Sequence, residues 1–197
     1  MEADGELLLR LRSGDERAFV TLVERYQEPM LRLAVSFVPS RAVAEEVVQD
    51  TWLGMLRGLD SFEGRSSLKT WLFRILVNRA RTTGTHEQRS VPVADPEPAV
   101  DPSRFDDSGS WADPPERWIE AAEGRIEAGK LAGRIKVLID ELPARQREVV
   151  ILRDVEEMTS EEVCSVLAIS DGNQRVLLHR GRSRLRQLFE HEFREVR

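Results

Sequence analysis

The chain has a single cysteine, Cys164, in 197 residues, so it can form no intrachain disulfide, as expected of a protein working in the cytoplasm. Histidine is nearly as scarce. His86, His179 and His191 lie far apart, and with one cysteine they offer no zinc-ligand spacing. No apolar run approaches the roughly 18 residues of a membrane span. The opening carries Glu2, Asp4 and Glu6, unlike the basic-then-apolar start of a signal peptide. A glycine-rich phosphate loop and a nucleophile motif are both missing. Glu45, Glu46 and Asp50 cluster on one segment, but no histidine or further carboxylate converges on them. The expectation is a protein with no metal, no cofactor, no small-molecule substrate and no catalytic residues.

Strand signals are absent too: there is no sustained alternation and no Asn-Gly hairpin. What is present is helical periodicity. Ala18, Leu22, Tyr26 and Met30 recur every four residues. Ala44, Val47, Val48, Trp52, Met55, Leu56 and Leu59 form a second stripe, and Leu68, Leu72, Ile75 and Leu76 a third. Pro39 and the segment 60–67, with Gly64, break the pattern. This predicts an all-α bundle of about four helices over 1–85.

Six of the nine prolines then fall within 91–115, among serines and acids. Residues 86–114 carry 7 acidic and 2 basic side chains, net −5, almost the whole net charge of −6. They read as a flexible acidic linker, with Trp111 an exception inside it. Twenty-nine residues span about 30 Å as a coil and at most roughly 95 Å extended.

The third piece, 115–197, is helical again. Ile119–Leu142 is one candidate helix and Ala144–Val155, after Pro143, another. Thr159-Ser160-Glu161-Glu162 forms a capping box, with Val163, Val166 and Leu167 as the buried face. Cys164 among them reads as a small buried residue. A turn at Ala168-Ile169-Ser170 precedes a last helix, which Ser170 caps and which buries Leu178, Gly181, Leu185 and Leu188. A short capped helix, a tight turn and a longer basic helix outline a helix-turn-helix.

Two stretches contain no acid. Gly172–Leu188 holds Arg175, Arg180, Arg182, Arg184 and Arg186 with His179, suited to the major groove of duplex DNA. Gly64–Thr82 holds Arg65, Lys69, Arg74, Arg79 and Arg81, interleaved with Trp71 and Phe73, after Phe62. Arginines that hold a backbone and aromatics that meet unstacked bases suit single-stranded nucleic acid. Trp71 and Phe73 lie two apart and cannot share a helical face, so one of them is core.

At this point the chain resembles the extracytoplasmic-function (ECF) group of the sigma-70 family of bacterial RNA polymerase sigma factors. Asp15-Glu16-Arg17-Ala18-Phe19 and Tyr26 resemble the opening of region 2. Ala44-Glu45-Glu46-Val47-Val48-Gln49-Asp50 with Trp52 resembles its polymerase-docking helix. Leu59-Asp60-Ser61-Phe62, Thr70-Trp71-Leu72-Phe73-Arg74-Ile75 and Asn78 resemble its −10 reading and melting segment. Leu142-Pro143, Gln146-Arg147-Glu148-Val149, Leu152-Arg153, Glu162-Val163 and Leu178-His179-Arg180-Gly181 resemble region 4. Asn173-Gln174-Arg175-Val176-Leu177 departs from the usual Thr-Val-Lys-Ser-Arg, and Ala168 replaces a usual glycine.

The resemblance implies region 2 over 1–85, the linker over 86–114 and region 4 over 115–197. It implies contact with the clamp and flap of core RNA polymerase, the clamp face being Glu46, Gln49, Asp50, Leu53 and Leu56. For melted −10 DNA it implies Phe62, Arg65, Ser66, Ser67, Lys69, Trp71, Arg74 and Asn78. For duplex −35 DNA it implies Asn173, Arg175, Val176, His179, Arg180 and Arg182. An anti-sigma factor is a further implied partner. The competing expectation is a one-component helix-turn-helix regulator binding duplex DNA as a dimer, to which an acidic docking helix and an acid-free aromatic segment would be superfluous.

Overall fold

The computed structural model describes residues 4–87 and 125–195, and every regular element in them is helical. In chain order these are α1 Asp4–Arg12, α2 Glu16–Ala34, α3 Arg41–Gly58, α4 Leu68–Glu87, α5 Arg125–Asp140, α6 Ala144–Val150, α7 Ser160–Leu167 and α8 Asp171–Glu195. Trp111, most of the 86–114 segment and the start of the expected Ile119–Leu142 helix lie outside the described residues.

Contacts divide the chain into two units. One comprises Met1–Pro92 together with Met158–Ile169, the other Val93–Glu157 with Ser170–Arg197. In the first, α2, α3 and α4 pack on one another, and α7 packs along α4. Asp15 caps α2 by accepting from the backbone N–H groups of Arg17 and Ala18, and Ser40 caps α3 through Val43. The stripes expected from periodicity meet in the middle: Leu22, Met30, Met55, Leu72, Phe73 and Leu76 are fully buried. Each such side chain is worth about 1.5–3 kcal/mol of burial. Trp52 closes the core by donating to Gln27 Oε1 at 2.7 Å and meeting Phe19 edge-on. Gly84 is required where α4 meets the turn after α2, because a Cβ there would stand 2.4 Å from the Phe37 carbonyl oxygen.

In the second unit α5 and α6 pack against α8. Gly181 lets α8 approach α6, since a Cβ would meet Val150 at 2.6 Å. The expected helix Ala144–Val155 is α-helical only to Val150. Ile151–Val155 is a π-helical turn, closed by a five-residue bond from Glu156 N–H to the Ile151 carbonyl at 2.8 Å. The stripe on α8 buries Leu178 and Gly181, while Leu185 and Leu188 are only half-buried; Cys164, expected inside, is also half-buried.

The capping box on α7 forms in both directions. Left-handed residues bracket that helix, Glu157 with φ 54° before it and Ala168 with φ 52° after it. Neither is glycine, so each carries the Cβ strain of that region. Ser170 then caps α8 by accepting from Asn173 N–H.

Candidate nucleic-acid and polymerase interfaces

The Ser40 cap sets the phase of α3, and its buried stripe leaves the opposite face to solvent. Glu46, Gln49, Asp50, Leu53 and Leu56 lie on that face at helical spacing, all exposed. Leu53 and Leu56 keep 45% and 46% of their surface, a combination of apolar contact and carboxylates suited to a basic partner helix. Asp50 is also within 3.7 Å of Arg79 on α4.

The 59–67 loop joins α3 to α4. Arg12, at the end of α1, holds its first half. Its guanidinium donates twice to the Leu59 carbonyl at 3.2 Å and once to the Phe62 carbonyl, satisfying acceptors left over at the end of α3. Phe62 is buried and stacks on Trp71, ring centres 4.5 Å apart. Of the aromatic pair on α4, Phe73 is the core member, edge-on to Tyr26, and Trp71 stays half-exposed. Arg65, Arg74 and Asn78 are exposed, Ser66 and Ser67 half-buried, and Lys69 lies 5.9 Å from the centre of the Phe73 ring. Arg65 pairs with Glu63.

A carboxylate from 92 residues further along reaches the start of α4. Thr70 Oγ1 donates to Glu162 Oε1 at 2.7 Å, and Ser67 Oγ lies 3.1 Å from the same oxygen. Glu162 Oε2 meanwhile accepts from Thr159 N–H in the capping box. Burial, the largest single influence, pushes this carboxyl up. The bonds from Thr159, Thr70 and Ser67 together outweigh it and hold the group below the ordinary glutamate range. At the far end of α7, Arg81 of α4 donates to the Leu167 carbonyl at 2.8 Å.

On α8, Asn173, Arg175 and Val176 are exposed, and His179, Arg180 and Arg182 are half-buried. Arg175 pairs with Asp171 at 2.8 Å and Arg186 with Glu190 at 2.6 Å. Arg182 grips Asp154, on the π-helical turn, with two nitrogens at 2.6 and 3.0 Å. Burial first and Arg180 second push the His179 imidazole below its usual value. Among the described residues no group of histidine, cysteine and carboxylates could hold a metal. No described helix is long and apolar enough to cross a membrane.

Sequence reading missed Arg12, Asp154 and Glu162 as partners of these segments. Glu162 was visible as a cap; nothing in the local pattern pointed it at Thr70.

Described residues that are all helical in their regular elements, with an acidic face on α3 and basic stretches over 62–78 and on α8, have the outline of a sigma factor, and comparison with known proteins bears this out. The family model for Sigma-70 region 2 matches residues 22–89, and that for Sigma-70 region 4 matches 132–185. The RNA polymerase sigma-H factor of Pseudomonas aeruginosa is 30% identical over 195 residues, covering 99% of this chain and 98% of the relative. The ECF RNA polymerase sigma-E factor of Escherichia coli K12 is 31% identical, covering 91% and 90%. Among solved structures, CnrH in complex with the cytosolic domain of CnrY is 25% identical with a TM-score of 0.59, covering 96% of this chain and 99% of that one. RpoE in complex with the anti-sigma factor NepR, from Bartonella quintana, is 26% identical with a TM-score of 0.55, covering 87% and 96%. The chain belongs to the ECF group of the sigma-70 family and serves transcription initiation.

Proposed function

We propose that this sigma factor binds core RNA polymerase through the exposed face of α3 and reads its promoter with two separate segments. Glu46, Gln49, Asp50, Leu53 and Leu56 form the clamp contact. The 62–78 segment takes the melted −10 strand, with Arg65, Ser66, Ser67, Lys69, Arg74 and Asn78 as its polar groups and the Phe62–Trp71 stack as its wall. The start of α8, with Asn173, Arg175, Val176, His179 and Arg180, takes the −35 duplex. The protein acts in the cytoplasm, catalyses no reaction itself, and is held by an anti-sigma factor until needed. Residues 1–85 and 115–197 are its two functional regions, and 86–114 tethers them.

The observation that carries this reading is the α3 face, where two leucines and two carboxylates stay in solvent on a helix whose other side is fully packed. A one-component DNA-binding regulator has no use for it. The test is holoenzyme assembly. Glu46→Arg combined with Leu56→Arg touches two exposed side chains and leaves the Asp50–Arg79 pair in place. Affinity for core polymerase should fall on the order of 100-fold, at about 1.4 kcal/mol per decade, with run-off transcription lost and the thermal melt unchanged. Unaltered co-migration with core polymerase would remove the assignment.

A further inference from the structure

The start of α4 is already occupied. In sequence α7 falls within the region 4 match; in the fold it lies along α4 and its Glu162 side chain is inserted at Ser67 and Thr70. The arrangement is chemically economical. Thr70 is 98% buried, and its one hydroxyl proton goes to Glu162 Oε1. Ser67 Oγ accepts from Thr70 N–H and has one proton to share between Thr70 Oγ1, at 2.7 Å, and the carboxylate. The first turn of a helix, at the positive end of its dipole and here carrying two hydroxyls, favours an anionic acceptor. Gly64–Thr82 has no acid of its own, so Glu162 supplies the negative charge that its composition lacks.

The contact is anchored at both ends. Glu162 holds the first turn of α7 at the first turn of α4, and Arg81 holds the last carbonyl of α7. Residues of left-handed conformation flank the helix on each side, at Glu157 and Ala168. Such strained positions persist only where surrounding contacts over-determine them. They are the places where a small backbone change would let α7 leave α4.

The geometry points to a self-occluding contact: in the free protein α7 covers the Ser67–Thr70 end of the −10 segment through Glu162, and it must withdraw before a nucleic-acid strand can use that surface. The proposal rests on the reading of 62–78 as the strand-binding segment. It adds that the free chain carries its own competitor for that site.

The test uses the full-length protein and a fluorescein-labelled 20-nucleotide single strand of pooled random sequence, followed by anisotropy. Thr70→Val removes the shorter hydrogen bond with little change of shape. Glu162→Gln keeps an acceptor for the cap but removes the charge. Each should raise affinity for the strand roughly three- to tenfold, the weight of one charge-assisted hydrogen bond. The double variant should gain no more than the better single one, because both break one contact. Hydrogen exchange should quicken at the α4 amides 70–73 and stay unchanged in α2 and α3. If Thr70→Val disturbs the core, Glu162→Asp, which keeps the charge and shortens the reach, serves in its place. Strand binding equal to the wild type in all variants, whether tight or undetectable, overturns the proposal. The same preparations are mixed with core polymerase. Failure of the wild type to assemble a holoenzyme would instead sink the proposed function, so the two failures read differently.

Discussion

The two acid-free stretches, Gly64–Thr82 and Gly172–Leu188, look alike in composition and are built differently. Each has five basic residues and no carboxylate. In the first, the apolar residues Leu68, Leu72, Phe73, Leu76 and Val77 are buried, and the cations surround a true core helix. The acid that reaches its first turn, Glu162, touches hydroxyls rather than arginines. In the second, the apolar stripe is deeply buried only over its first half. Acids from outside the run pair with arginines in both: Glu63 and Asp50 with Arg65 and Arg79 in the first, Asp171, Asp154 and Glu190 with Arg175, Arg182 and Arg186 in the second. A run without acids is therefore no measure of uncompensated charge, and only the fold shows which cations remain available to a polyanion.

The sharpest way to break the likeness is to empty the core beneath each stretch. Phe73→Ala removes a side chain with no exposure and an edge-on contact to Tyr26, and should destabilise the first unit by about 3–5 kcal/mol. Leu188→Ala, at a half-buried position, should cost about 1 kcal/mol. Urea denaturation monitored by circular dichroism measures both. Equal losses would mean that the two helices are held by the same kind of packing.

A second test separates the arginines of α8. Arg182 is held by Asp154 through two nitrogens with its side chain 16% exposed, so Arg182→Ala should act on stability, by about 1 kcal/mol, and Asp154→Ala should match it. Arg180→Ala should instead weaken binding uniformly across −35 variants, with the salt slope reduced by about one. Filter binding of holoenzyme to a promoter panel at several salt concentrations distinguishes them. A base-specific loss for Arg180→Ala would reassign that residue to direct readout. A loss of −35 binding by Arg182→Ala with its stability unchanged would instead keep Arg182 in the DNA-contacting set that the resemblance implies.

Much of the fold was legible because it is local. Four-residue periodicity, Ser and Thr at caps, and the Thr159–Glu162 box each involve neighbours in the chain, and the helices follow from them. The left-handed Ala168 was legible only as a place where glycine is usual. What stayed hidden is long-range or irregular. Arg12 meets the Leu59 carbonyl across 47 residues, Glu162 meets Thr70 across 92, and both bonds use groups that leave no periodic trace. The π-helical turn was equally silent, since Ile151-Leu152-Arg153-Asp154-Val155 has the composition of an ordinary helix. The α3 face came from the family resemblance alone: periodicity placed Leu56 in the stripe expected to be buried, and the fold leaves it 46% exposed.

The smallest expected effect concerns pH, and it separates the stretches because only Gly172–Leu188 contains a histidine. Burial and the neighbouring Arg180 hold His179 below its ordinary value in the folded protein. The unfolded chain, with histidine near 6.5, therefore binds a proton more readily than the native one. Protons favour the state that binds them better, so the His179 contribution is absent at pH 8 and appears as pH falls through about 6.5. It grows as a destabilisation until the native imidazole itself titrates. Glu162 and Asp15, both held below their ordinary values, lose their contributions at lower pH and leave this window to the histidine. Denaturation at pH 7.5 and 5.5 should show a modest loss of stability for the wild type and a smaller one for His179→Gln, which cannot titrate. An identical pH dependence in the two proteins would show that His179 is as well solvated in the native state as in the unfolded chain.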